Sequence, residues 1–209
     1  AFVDPRPPAT PHLELVGRVG HAAAEAHPET LFDQDGGGLR HSVSLSAAWD
    51  AAPQRRRDWA LRVAPELLLK WGGVSLGGVA YLAAIETGDG ALAPGAFGGH
   101  AELGWRPDRH LQLALGYARV QLFDALRDDA RAHARALRPT PGSEGWANWR
   151  DTYGDVGRLR ARQELTFAVH VPLLGHDLDL SADVAWLRSE RDDGARDDLR
   201  VRAQLQLGF

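Results

Sequence analysis

Three histidines stand beside groups that could activate a nucleophile. His41 is followed by Ser42 and Ser44, His100 by Glu102, and His170 shares a stretch with Glu164. A serine hydrolase needs a hydroxyl, a base within hydrogen-bond reach and an acid that orients the base. Each set supplies part of that requirement, and none carries a recognisable catalytic motif. A structural or surface histidine is the simpler expectation for each, so no catalytic residue is assigned. His41, Ser44, His100, His170 and Glu164 are the candidates carried forward.

Metal chemistry has less support. His21 and His27 flank Glu25, but the chain contains no H-E-x-x-H. Asp192, Asp193, Asp197 and Asp198 have Arg191 and Arg196 among them, which reads as a solvated, charged hairpin tip. Gly36–Gly38 and Gly98–Gly99 do not link a strand to a helix in the manner of a phosphate-cradling loop. No metal and no cofactor is expected. The absence of cysteine excludes disulfides and thiolate chemistry.

The balance of 24 Lys+Arg against 28 Asp+Glu, net −4, argues against a general nucleic-acid binder. The 209 residues suit one domain. No apolar run reaches the roughly 18 residues of a membrane-crossing helix. The Ala1 start fits a chain released from a leader at a small-residue site. Residues 1–12, with Asp4-Pro5-Arg6-Pro7-Pro8, read as an extended tail, and residues 13–209 as one β domain.

The elements that must position these groups follow from a period of two. Trp59, Leu61, Val63, Pro65, Leu67, Leu69 and Trp71 alternate with Ala60, Arg62, Ala64, Glu66, Leu68 and Lys70. The same alternation runs through Leu111–Ala118, Glu164–Val171, Leu178–Trp186 and Leu199–Phe209. Weaker copies cover Leu13–His21, Val43–Trp49, Val74–Glu86 and Ala101–Trp105. Side chains on a strand point to opposite faces in turn, so each segment has a greasy face and a polar face. Trp59–Trp71 would extend about 40 Å, and a tilt of about 40° would carry it across a bilayer's hydrocarbon core of about 30 Å.

Connections alternate in size. Gly72-Gly73, Arg106–Arg109 and Pro172–His176 are tight, whereas Gly88–Gly99, Gln121–Asp155 and Arg191–Asp198 are long and polar. The long ones, with the Pro53–Asp58 loop and its Arg55, Arg56 and Arg57, fall on one rim. Asp124–Arg138 reads as a helix within the longest loop, stopped by Pro139 and followed by Trp146, Trp149 and Tyr153. Nine segments is an odd count, and single-chain bacterial barrels usually have an even one. Because Ala22–Arg40 is long where a tight turn belongs, Leu13–His21 is expected outside the wall. That leaves eight strands, with ten, or the C-terminal part of a larger barrel, as alternatives.

This pattern resembles bacterial outer-membrane β-barrel proteins over about residues 41 to 209, most sharply at Val201-Ala203-Leu205-Leu207-Phe209. The last segment is similar to the C-terminal signal read by the barrel-assembly machinery. The resemblance implies an antiparallel up-and-down transmembrane β-barrel in a bacterial outer membrane, with one long helical extracellular loop. Trp59, Trp71, Trp105, Tyr117, Trp186 and Phe209 would mark the membrane interfaces. Arg62, Glu66, Lys70, Arg160, Arg162, Glu164, Asp179, Asp183 and Arg202 would form a polar network in the lumen. An eight-stranded ring is filled by its own side chains, so that lumen would be packed and closed. Outer-membrane lipid, lipopolysaccharide and the assembly machinery are the expected partners, and nucleic acid is not. The expected role is structural, anchoring, envelope-interacting or export-associated, and non-enzymatic. Two other readings are an outer-membrane lipid hydrolase and a soluble lipocalin-like barrel whose apolar rows point inward.

Overall fold

The computed structural model describes residues 13–22, 38–51, 59–86, 91–153, 157–173 and 178–207. Its strands are β1 (Leu13–Ala22), β2 (Arg40–Ala51), β3 (Trp59–Trp71), β4 (Val74–Glu86), β5 (Leu92–Asp108), β6 (Leu111–Leu122), β7 (Leu159–Pro172), β8 (Leu178–Arg191) and β9 (Gly194–Leu207). Two helices, α1 (Asp124–Ala136) and α2 (Trp146–Tyr153), lie between β6 and β7. All nine strands form one antiparallel meander in which each pairs with its neighbour in sequence.

Three expectations are corrected here. Leu13–His21 belongs to the sheet, since β1 pairs with β2 from Leu13↔Ala51 to Ala22↔Ser42. A long connection does not prevent that pairing, because the entropy of loop closure grows only slowly with length. Among the described residues the strand count is therefore nine, not eight. The sheet is also open. Among the described residues β1 pairs only with β2 and β9 only with β8, which leaves two edges. Strand directions alternate along the meander, so the two edge strands run the same way.

Two long loops are shorter than expected. β5 reaches back to Leu92, so most of the Gly88–Gly99 stretch is strand, with a register shift opposite Ala83/Ala84. The charged Arg191–Asp198 stretch is a tight hairpin, with the ladder running on to Arg191↔Gly194. In both places glycine and charge suggested a loop, but cross-strand pairing continued through them. The Gly72-Gly73 turn is as expected: both residues have positive φ, 56° and 84°, matching the primed two-residue turns that suit twisted hairpins.

Pairing register sorts the side chains onto two faces. One carries Val43, Leu67, Leu76, Phe97, Leu103, Leu115, Phe167, Val184, Val201 and Leu205, all exposed. The other carries Ser44, Glu66, Lys70, Ser75, Glu102, Glu164, Asp183 and Arg202. This second face is the more enclosed one: Ser44, Lys70, Ser75, Ala114, Ala185 and Leu187 on it are buried. The greasy rows do not meet one another in a dry centre.

Candidate functional site

The enclosed polar face is built by strand alternation, and cross-strand register decides which of its groups meet. Near one edge, Arg18 on β1 donates to Ser44 Oγ at 2.9 Å and to Glu66 Oε2 at 2.5 Å, and Ser44 donates to the same carboxylate at 2.9 Å. Near the other, Arg200 on β9 donates to Glu164 at 2.6 Å and Thr166 donates to it at 3.0 Å. Arg202 Nε reaches both oxygens of Asp183, at 3.1 and 2.9 Å. Apart from the Thr166–Glu164 bond within β7, these charge-assisted contacts link neighbouring or next-neighbouring strands and tie the face together laterally.

Of the expected polar network, Arg62, Glu66, Lys70, Arg162, Glu164, Asp179, Asp183 and Arg202 all fall on this face by register. Arg160 is spent at the rim, where its Nε donates to Asp192 at 2.6 Å.

The candidate catalytic sets fare differently. His41 pairs with Leu69 on the apolar face, while Ser42 and Ser44 point to the polar one, so the set is split by the strand's own pleat. The His41 ring lies 5.6 Å from that of His21 instead. His27 and Glu25 lie outside the described residues. His100 and Glu102 share the polar face in the middle of β5. His170 and Glu164 share a face but lie six residues apart on β7, about 20 Å at strand rise. Glu164 serves Arg200 and Thr166.

What His170 meets is on the next strand. Its Nδ1 lies 2.8 Å from Ser181 Oγ, and its Nε2 lies 3.7 Å from Asp179 Oδ1. Ser181 is directly opposite His170, and Asp179 is opposite Pro172. Neither Ser181 nor the role of Asp179 beside a histidine was singled out from sequence. A signal existed in the i, i+2 spacing of Asp179 and Ser181, which puts both on one face, but only the hairpin register brings His170 to them.

The rim holds a second cluster. α1 turns Arg127 inward to 5% exposure, where it donates to Asp124 at 2.6 Å, to the Gly157 carbonyl at 3.2 Å and to Asp192. Arg131 also donates to Asp192, at 2.5 Å. The helix is thereby fastened to the β8–β9 hairpin tip. The hydrogen bond from Arg160, with Arg127 acting in the same sense, holds the Asp192 carboxyl at about 2, below its ordinary 3.8. Beyond the helix, Trp146 and Trp149 stack at 5.4 Å with Arg138 over both rings, and Trp149 Nε1 donates to the Ala134 carbonyl at 3.0 Å. Arg127 and Arg131 thus tie the loop to the rim, while Trp149 packs α2 against α1.

The expected interface aromatics divide too. Trp71 and Trp105 are exposed on the apolar face and share one row through Val74. Tyr117 and Trp186 share another row of that face through Leu165. Phe209 and the Trp59 side chain lie outside the described residues.

No family model and no curated protein matches the chain.

Proposed function

We propose that the chain forms the wall of an outer-membrane β-barrel and serves a structural, anchoring, envelope-interacting or export-associated role. One observation carries this reading. Large apolar side chains on one face are left open, with Leu67 at 42%, Phe167 at 45% and Leu205 at 60% exposure, while Ser44, Lys70 and Ser75 are covered on the other. A water-soluble barrel needs the reverse, since burying apolar area drives its folding. A contiguous apolar face of this extent calls for a cover, and acyl chains are the cover that strands of 10 to 17 residues suit. No helix among the described residues is long and apolar enough to cross a membrane, so strands would have to do it.

In hydrocarbon an unpaired backbone amide costs several kcal/mol, so both sheet edges must find partners. Direct closure would make β1 and β9 a parallel pair. One further strand, antiparallel to both, would restore an even ring of ten. The polar face favours the second solution. Arg18 on one edge and Arg202 on the other are each 60% exposed although paired with Glu66 and Asp183, and a polar strand between the edges would cover both ion pairs. Lipopolysaccharide would then lie against the rim that carries α1 and α2, and the assembly machinery would engage the strand leading to Phe209.

The test is expression with an export leader. Partition into the detergent phase, with migration on a gel that changes on heating, is expected. A monomer that stays in the aqueous phase and migrates identically heated and unheated would overturn the reading.

A further inference from the structure

We propose that His170, Ser181 and Asp179 form a hydrolytic site for short-chain carboxylic esters on the polar face of the sheet. This goes beyond the membrane-wall reading and does not depend on it. Three observations converge. Ser181 Oγ sits 2.8 Å from His170 Nδ1, within reach for proton transfer. The opposite ring nitrogen, Nε2, faces Asp179 Oδ1 at 3.7 Å, a distance that a bound substrate can tighten. That Oδ1 is buried and accepts no hydrogen bond among the described residues, so the acid offers an acceptor beside the ring. Base, nucleophile and orienting acid are thus ordered across one imidazole, as nucleophilic catalysis requires.

The surroundings define the substrate. The His170 side chain is 29% exposed and therefore reachable. Gln112 stands opposite His170 on β6, and Gln204 stands opposite Ser181 on β9. Their amides are donors of the type that stabilises an oxyanion. The next row along the same face carries Ala114 and Ala168 beside the Asp183–Arg202 ion pair, a short and polar setting rather than a long apolar channel. A short acyl group on a polar alcohol fits that setting.

The chemistry balances without a cofactor. Ser181 Oγ bonds to the carbonyl carbon as its proton passes to His170 Nδ1, and Asp179 steadies the imidazolium through Nε2–H. The C–O bond to the alcohol breaks, and the alcohol leaves with the Nδ1 proton. Water then gives a proton to Nδ1 and its oxygen to the acyl carbon. Ser181 Oγ departs and recovers the proton. Ester and water become acid and alcohol. Ser181 and His170 are the catalytic residues, and Asp179 is a positioning residue.

The test uses the whole chain in detergent micelles with p-nitrophenyl acetate, p-nitrophenyl palmitate and a fluorophosphonate probe. Expected are a fluorophosphonate adduct mapped by mass spectrometry to Ser181, and hydrolysis of the acetate ester in preference to the palmitate. S181A should abolish both adduct and turnover. H170Q should lower kcat by about 100-fold or more, the scale of a lost general base. D179N should lower kcat with KM unchanged, and D179E should recover part of the loss. An unlabelled Ser181 in the unaltered protein, or acetate hydrolysis undiminished in S181A, would overturn the proposal. Detergent partition scores the membrane reading separately, so either idea can fail alone.

Discussion

Placing a charge at the centre of the apolar face measures directly what covers it. Leu115 lies in the middle of β6, with Leu103 and Phe167 as its cross-strand partners, and the three are 47%, 46% and 45% exposed. Replacing Leu115 by Arg has two costs if hydrocarbon covers this row. About half of the leucine is left for lipid to bury, which forfeits about 1 kcal/mol of the roughly 1.5–3 kcal/mol for a whole side chain. A guanidinium near the bilayer midplane costs a further 2–4 kcal/mol or so. The sum is about 3–5 kcal/mol. If the row faces water, neither cost arises, and the change stays within about 0.5 kcal/mol, as for most surface substitutions. Reversible urea unfolding of the chain in lipid vesicles, followed by tryptophan fluorescence, reads the difference. Gln112→Lys, on the opposite face of the same strand, is the control and should cost little. A loss below about 0.5 kcal/mol for Leu115→Arg, or an equal loss for the control, would refute the assignment of the faces.

Two further outcomes follow from local geometry. The Asp192 carboxyl titrates at about 2 in the folded chain against an ordinary 3.8, so its tie to α1 is fully present above 3.8 and is lost as pH falls through about 2. Emission from Trp146 and Trp149 should therefore hold steady down to about pH 4 and change toward pH 2, whereas Asp192→Asn should show the released signal throughout; a transition unchanged in that variant would contradict the assignment. Gly73→Ala should destabilise by roughly 1–3 kcal/mol, because φ is +84° and the new Cβ would lie 2.8 Å from the Arg106 carbonyl oxygen. Denaturant titration checks this, and an unchanged midpoint would show that the turn relaxes freely.

Much of the sheet was legible because side-chain alternation is a property of the strand itself. Trp59–Trp71 was read as a strand from its pattern and is β3 to the residue. The polar row with Arg62, Glu66 and Lys70 faces one way because covalent geometry turns successive side chains to opposite sides. The helix after β6 was equally local: it was read as Asp124–Arg138 and spans Asp124–Ala136. Its buried face was not, because Arg127 is drawn in by Asp192, a residue 65 positions away.

What the sequence by itself determined is therefore the two-faced character of each strand, the order of the strands and the helix in the longest loop. Only the tertiary structure decided the inclusion of Leu13–Ala22, the open edges and the meeting of His170 with Ser181 and Asp179. The physical reason is that alternation needs no partner, whereas register and closure depend on which backbone amides pair across strands. A slip of one residue in the β7–β8 hairpin would send Ser181 to the other face and leave every apolar and polar residue in the sequence exactly where it was.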